Sequence, residues 1–190
     1  MDKHQTAATV LIVPGLREHV SEHWQTLLAA KLSKVRSVPP LEVCKLSCAA
    51  RVDAIQREVA QIDGPLIMVA HSAGVLMLVH WAARYGSQYP LKGALLAAPP
   101  DLDASWPPGY PAPESLSANG WGPLPKGRLP FPSIVAASSN DHLASLEAVT
   151  RMAQDWGSEL VNLGEVGHLN PASGYGEWSQ AEAFVRELDR

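Results

Sequence analysis

The most informative segment of the chain is Leu66-Ile67-Met68-Val69-Ala70-His71-Ser72-Ala73-Gly74, and a segment of helical periodicity follows it directly. Residues 66–70 are apolar throughout, as expected of a strand that helices cover on both faces. A serine between such a strand and a helix lies on a sharp elbow, with its hydroxyl at the carboxyl end of the sheet. The other interpretation of Ser72 is an ordinary helix N-cap.

The residues two before and two after Ser72 must be small, because the strand and the helix approach each other closely at an elbow. The usual pattern is Gly-x-Ser-x-Gly. Here Ala70 occupies the first small position and Gly74 the second. Alanine is small enough, although it lacks the conformational freedom of glycine.

Apolar runs of strand length alternate with helical segments along the chain, which predicts a parallel sheet between two layers of helices. The predicted strands are Thr9–Val13, Leu41–Leu46, Leu66–Ala70, Gly93–Ala97, Ser133–Ala137 and Glu159–Leu163. The predicted helices are Glu22–Ser33 with Ser21 as N-cap, Ala50–Ile62, Ala73–Tyr85, Leu143–Trp156 and Glu177–Leu188. These elements fill residues 1–190, so we expect one three-layer α/β domain with a mainly parallel sheet of about six strands.

The composition and the charge of the chain argue against several classes of protein. With 46 % hydrophobic and 18 % charged residues, the chain is typical of soluble globular domains. A net charge of −4 without a basic run argues against a nucleic-acid partner, and no stretch approaches the ~20 apolar residues of a membrane span. Residues 1–8 are polar and lack the apolar core of a secretory signal. We interpret Cys44 and Cys48 as reduced thiols, and we expect a cytoplasmic location.

A serine hydroxyl is a poor nucleophile at neutral pH, so it needs a histidine base and an acid that orients the base. In doubly wound hydrolases both follow the serine in the chain, the acid first, each after a later strand. Asp141 follows the predicted strand Ser133–Ala137, and His168 follows Glu159–Leu163. The carboxyl ends of parallel strands meet at one edge of the sheet, so Ser72, Asp141 and His168 are the candidate catalytic residues.

Four other side chains are weaker candidates. Asp101 also follows a strand and is the reserve choice for the acid. His71 should point away from Ser72, and we interpret it as structural. His142 adjoins Asp141 and would be poorly placed to bridge the acid and the serine, whereas His80 fits a packed helical position.

The oxyanion of a tetrahedral intermediate is generally bound by two backbone N–H groups. One should come from Ala73, which directly follows the nucleophile. The other normally comes from the loop after the first strand of the core, here Val13-Pro14-Gly15-Leu16-Arg17, whose glycine permits a tight turn that exposes the amide of Leu16.

Residues 99–132 interrupt the alternation, because they hold ten of the sixteen prolines and four glycines. Proline removes a backbone donor, so we expect neither helix nor central strand here. A lid or wall of a site and a structural crossover are equally good interpretations. Trp106, Tyr110 and Trp121 indicate that the segment packs on something, and Trp106 and Trp121 are candidate pocket residues.

The segment His19-Val20-Ser21-Glu22-His23 has the H-x-x-E-H spacing of a zinc protease family. That chemistry requires both histidines on one helix face. With Ser21 as N-cap, His19 would lie outside the helix, so we expect no metal and no cofactor.

The chain resembles the small single-domain serine hydrolases related to retinoblastoma-binding protein nine and bacterial YdeN, within the α/β-hydrolase superfamily. The resemblance spans nearly the whole chain and is carried by Val13-Pro14-Gly15 with His23-Trp24-Gln25, Ala70–Gly74, Leu129–Ser133, Ser139–Asp141, Ala153–Ser158, and Gly167–Asn170 with Ser173–Trp178. It implies a compact α/β-hydrolase fold, a triad on Ser72, Asp141 and His168, and esterase-like hydrolysis of small esters. The departures are Ala70 and His142, and neither removes a catalytic group.

The residues therefore predict a carboxylesterase-like serine hydrolase that cleaves small carboxylic esters through an acyl-enzyme. Thioesterases and amidases use the same three groups and differ in the pocket. The alternative from another class is a non-catalytic protein-binding module that retains the hydrolase fold, since a fold does not guarantee a function.

Overall fold

Six parallel strands form one sheet at the centre of the computed structural model, which describes residues 4–190. Residues 1–3, the start of the polar N-terminal segment, lie outside the described residues. The strands are β1 (Thr9–Val13), β2 (Val35–Ser37), β3 (Leu66–His71), β4 (Leu91–Ala97), β5 (Ser133–Ala137) and β6 (Glu159–Asn162). Their order across the sheet is β2-β1-β3-β4-β5-β6, and each neighbouring pair is parallel.

Helices cover both faces of this sheet. They are α1 (Trp24–Lys31), α2 (Cys48–Val59), α3 (Ala73–Tyr85), α4 (Pro113–Ala118), α5 (Leu146–Trp156) and α6 (Ser179–Leu188), with 3₁₀ turns at Gly86–Gln88 and Pro171–Ser173. Successive side chains of β3 point to opposite faces: Met68 packs with α2 and α3, whereas Val69 packs with α1 and α6. The predicted three-layer α/β class is confirmed. None of the helices within residues 4–190 has the length and apolar character that crossing a membrane requires.

The predicted strand Leu41–Leu46 is wrong. The second strand is Val35–Ser37 at the edge of the sheet, and Pro39 and Pro40 follow it. The segment 41–46 forms an exposed turn in which Val43 is 73 % exposed and Cys44 has a φ of 54°. Its apolar residues give it the local pattern of a strand. The two prolines before it, however, lack the backbone N–H groups that pairing with a neighbouring strand requires.

The first helix also begins later than predicted, because His23 and not Ser21 is its N-cap. The Nδ1 atom of His23 accepts a hydrogen bond from the backbone N–H of Gln25 over 3.2 Å. A ring nitrogen here takes the place that a serine oxygen usually occupies. The side chain of Gln25 is buried and donates to the carbonyl oxygens of Val13 and Val69, which ties α1 to the ends of β1 and β3.

The proline-rich segment 99–132 contains one short helix, α4, so the expectation that it could hold none is wrong. Pro113 stands at the start of that helix, where the missing N–H has no intrahelical partner to lose. Leu116, Leu129 and Phe131 are buried in the core on the α2–α3 side. Residues 100–111 run instead along the carboxyl edge of the sheet, where they bound the cleft described below.

Candidate active site

Ser72 lies on a strained turn between β3 and α3. Its φ and ψ are 56° and −129°, a region that L-residues rarely adopt, and its side chain makes no cap hydrogen bond to the helix. The close approach that such a turn requires is visible at Gly74, where a Cβ atom would lie 2.4 Å from the carbonyl oxygen of Val13. The hydroxyl of Ser72 is thereby presented beyond the carboxyl end of the sheet and is not used as a helix cap.

The structure brings Ser72, His168 and Asp141 into one hydrogen-bonded chain. The Oγ atom of Ser72 lies 2.8 Å from Nε2 of His168, and Nδ1 of His168 lies 2.8 Å and 3.0 Å from the two carboxylate oxygens of Asp141. The side chains of His168 and Asp141 are only 3 % and 2 % exposed. A carboxylate can only accept, so Nδ1 carries the proton and the lone pair of Nε2 faces the hydroxyl. This arrangement can take a proton from Ser72 and stabilise the resulting imidazolium.

The loop after β5 and the loop after β6 are joined by several hydrogen bonds. The side chain of Asn140 accepts from the backbone N–H of Gly167 over 2.7 Å, and the N–H of Ser139 donates to the carbonyl oxygen of Gly164 over 2.8 Å. The N–H of His168 donates to the Ser173 hydroxyl at 3.1 Å. These contacts fix the position of Asp141 relative to His168.

The other candidate side chains lie outside this chain. The carboxylate of Asp101 accepts from the N–H of Asp103, and its backbone carbonyl accepts from the indole N–H of Trp106. His142 is exposed, and its Nε2 lies 3.1 Å from the Tyr110 hydroxyl. His80 lies on α3, and its Nε2 pairs with the carbonyl oxygen of Trp121.

Two residues with unpartnered backbone amides line the cleft next to Ser72. Leu16 and Ala73 both line it, and within residues 4–190 neither backbone N–H donates to another protein group. A Cβ atom on Gly15 would lie 3.4 Å from Cβ of Ser72, so the loop after β1 passes directly beside the serine. Two unpartnered donors in residues that line the cleft beside a serine hydroxyl suit a developing oxyanion.

The cleft above Ser72 has a volume of about 340 Å³, at the small end for ligand pockets, and its lining is largely apolar. Trp106 and Tyr110 from the proline-rich segment form part of its wall, as does Leu143 from the loop after β5. Trp121 does not line it. It is completely buried on the α2–α3 side, where its indole N–H donates to the carbonyl oxygen of Leu46 over 2.7 Å.

Sequence reasoning missed the role of His23 and understated that of His71. The ring centroids of His23, His71 and His168 follow one another at 4.5 Å and 5.1 Å. Nε2 of His71 donates to the carbonyl oxygen of His168 over 2.8 Å. Burial and then the neighbouring His168 lower the pKa of His23 to about 4, and the same causes together with His23 hold the pKa of His71 well below its ordinary value. Both rings are therefore neutral at pH 7.

The H-x-x-E-H segment does not form a helical metal site. His19 lies outside α1 and is exposed, and His23 is committed as the N-cap. Among residues 4–190, no group of three or more His, Cys, Asp or Glu side chains is arranged to hold a metal ion.

The sequence model of the family described as Serine hydrolase matches residues 10–187. The chain belongs to this family. It is therefore a hydrolase, and the expected relationship to small YdeN-type α/β-hydrolases is confirmed by the structural comparison. A comparison with curated protein sequences finds no match.

Solved structures share this fold over almost the whole chain. One described as a YdeN-like hydrolase from Pectobacterium atrosepticum is 29 % identical, with a TM-score of 0.80 over 96 % of this chain and 90 % of that chain. The ydeN gene product of B. subtilis is 15 % identical, with a TM-score of 0.74 over 96 % and 98 %. The type II thioesterase BorB from the borrelidin biosynthetic cluster is 12 % identical, with a TM-score of 0.67 over 100 % and 96 %.

Proposed function

We propose that this serine hydrolase cleaves small carboxylic esters through an acyl-enzyme. The observation that carries the proposal is the hydrogen-bonded chain from Ser72 Oγ through His168 to the Asp141 carboxylate, with both contacts at 2.8 Å. Ser72 attacks the ester carbonyl, and His168 takes its proton and returns it to the departing alcohol. Asp141 keeps the imidazole in the required tautomer.

The surroundings of Ser72 support this chemistry. The amides of Leu16 and Ala73 would bind the oxyanion of each tetrahedral intermediate, a contribution typically worth ~10²-fold or more in kcat for each donor. In the second half of the reaction, His168 would activate a water that attacks the acyl-enzyme and frees Ser72. No step requires a cofactor or a metal.

A direct test is a panel of p-nitrophenyl esters of increasing acyl length, assayed beside Ser72→Ala. We expect turnover that the substitution abolishes, and covalent labelling of Ser72 by a fluorophosphonate probe. Hydrolysis that survives in Ser72→Ala would contradict the assignment. A folded wild-type protein that neither reacts with the probe nor cleaves any ester would favour the non-catalytic binding module.

Thioesters belong in the same panel, because type II thioesterases share this fold at low sequence identity. Equal dependence on Ser72 is expected for both substrate types, since the three groups act on the carbonyl and not on the leaving atom. The ratio of kcat/KM between an ester and its thioester then reports which leaving group the pocket accepts.

A further inference from the structure

The charged groups that line the cleft are not balanced. Apart from the histidines, they are Arg17 and Glu18, both in the loop after β1. Glu18 is already engaged: its carboxylate lies 3.1 Å from Arg51 and 3.5 Å from Lys45, and it accepts from the N–H of Leu41. Its negative charge is therefore more than compensated.

Arg17 has no such partner. Within residues 4–190, its guanidinium makes no hydrogen bond and no ion pair, and it is exposed at the cleft. The other carboxylate of the site, Asp141, lies behind His168 with its side chain 2 % exposed, outside the lining of the cleft. Arg17 is thus the uncompensated fixed charge that a ligand entering this cleft would meet.

The loop that carries Arg17 is held in place. The N–H of Glu18 donates to the carbonyl oxygen of Gly15 over 3.0 Å, and Glu18 has a φ of 60°, which its ion pair with the buried Arg51 helps to maintain. Arg17 therefore follows directly after the proposed oxyanion amide of Leu16 on a backbone with a defined shape. The backbone at Arg17 is therefore fixed beside the proposed oxyanion site, so only its side chain has to be ordered when a ligand binds.

A second unpartnered donor lines the same cleft. His23 is 8 % exposed, its Nδ1 accepts from Gln25, and the ring proton therefore lies on Nε2. In the described part of the chain Nε2 has no hydrogen-bond partner, and His23 lines both this cleft and an adjoining cavity beside Val20 and Pro39. A buried, neutral N–H of this kind suits a polar substrate better than a wholly aliphatic one.

We propose, on the basis of the hydrolase function above, that the substrate carries an anionic group that pairs with Arg17 while the scissile carbonyl lies at Ser72. The anion is a carboxylate or a phosphate. A guanidinium binds either through two parallel hydrogen bonds. The group can belong to the acyl part or to the leaving group, and the two sources are separated by the experiment below.

The experiment compares kcat/KM for two matched substrate pairs. The acyl pair is mono-(4-nitrophenyl) glutarate and 4-nitrophenyl pentanoate, and the leaving-group pair is butyryl-coenzyme A and butyryl-N-acetylcysteamine. We expect the anionic member of one pair to be favoured by about three- to tenfold, since a partly exposed ion pair contributes about 1 kcal/mol. Added salt should reduce that preference.

Three variants attribute the preference to its residue. Arg17→Gln should bring the ratio close to one, whereas Arg17→Lys should keep most of it. Arg57→Gln is the matched control, because Arg57 is an exposed arginine on α2 away from the cleft. No preference for the anion in either pair, or a preference that persists in Arg17→Gln, would overturn the inference.

A binding measurement separates this inference from the hydrolase proposal. Ser72→Ala protein is titrated with monomethyl glutarate and with methyl pentanoate, and line broadening of the ligand is followed by NMR. Tighter binding of the anion that is lost in Ser72→Ala/Arg17→Gln supports the role of Arg17 even if no ester is cleaved. Equal binding of these two ligands, together with equal binding of butyryl-coenzyme A and butyryl-N-acetylcysteamine to the same protein, counts against it.

Discussion

Nε2 of His71 donates a hydrogen bond over 2.8 Å to the main-chain carbonyl oxygen of His168, so the residue before the proposed nucleophile holds the backbone of the proposed base. Both residues are buried, at 5 % and 2 % exposure. The elbow after β3 and the loop after β6 are not neighbours in the chain or in the sheet, because β4 and β5 lie between their strands. Together with the contact between Ser72 and the His168 ring, this hydrogen bond couples their positions.

The first prediction concerns that contact. His71→Ala should lower the free energy of unfolding by about 1–3 kcal/mol, because the buried carbonyl of His168 loses its partner. It should also slow fluorophosphonate labelling of Ser72 and lower kcat, since His168 is less well placed. Urea unfolding and labelling rates measure the two effects. His142→Ala, which alters an exposed imidazole, serves as the stability control, and equal stability of the two variants would refute the role given to His71.

The second prediction tests the acid. Asp141→Asn should lower kcat by up to ~10⁴-fold through the wrong imidazole tautomer, with a smaller effect on KM. Asp101→Asn should cost little, because the carboxylate of Asp101 accepts from the N–H of Asp103 and does not contact His168. Steady-state kinetics on protein checked by circular dichroism gives the comparison. The reverse pattern would identify Asp101 as the acid.

The third prediction follows from the close approach at the elbow. A Cβ atom on Gly74 would lie 2.4 Å from the carbonyl oxygen of Val13 and 2.7 Å from that of Pro14, and both are backbone atoms. Gly74→Ala should therefore destabilise the fold by about 1–3 kcal/mol or more. Gly176→Ala is the matched control, since nothing lies within 4 Å of its Cβ position. Equal melting temperatures for the two variants would show that the helix does not pack on β1 as described.

The fourth prediction is a loss of stability in mild acid. The pKa of His23 falls from an ordinary value of 6.5 to about 4 on folding, mainly through burial. Between these two pH values the His23 side chain is protonated in the unfolded chain and neutral in the folded chain. The free energy of unfolding should be greatest above pH 6.5 and decline towards pH 4, by about 3 kcal/mol from this group. His71 adds in the same direction.

Urea unfolding at several pH values between about 7 and 5 measures this slope before most carboxylates titrate. His23→Asn should flatten it, because an asparagine oxygen can still cap Gln25 but does not titrate. An unchanged slope in that variant would show that His23 does not carry the effect.

The fifth prediction concerns metal removal. Hydrolysis should be unchanged after treatment with EDTA, because the proposed steps use only Ser72, His168, Asp141 and backbone amides. Activity that EDTA abolishes and zinc restores would contradict this prediction and would indicate a metal site at His19, Glu22 and His23.

The local residue pattern is enough to predict the central strands and the chain order of the proposed catalytic residues. Leu66–Ala70 and Ser133–Ala137 are apolar along their length because helices cover both of their faces, and that burial leaves a local signature. Ser72 and Asp141 could be predicted because each lies in the segment that follows such a strand, and His168 because it lies in the segment after the next one. Parallel strands bring their carboxyl ends to one edge of the sheet, so chain position alone brought these residues together.

The edge of the sheet and the lining of the cleft depend on contacts between segments that are distant in the chain. Val35–Ser37 is a three-residue edge strand, too short to carry a period, whereas the apolar turn at 41–46 imitates one. The same limit applies to side chains: local sequence does not predict which surface His23, Arg17 and Trp121 face. The ring of His23 packs against His71, the loop of Arg17 is held by the ion pair of Glu18 with Arg51, and Trp121 donates to Leu46; each of these partners lies far away in the chain. Packing of this kind leaves no pattern in neighbouring residues, because its partners come together only once the sheet has formed.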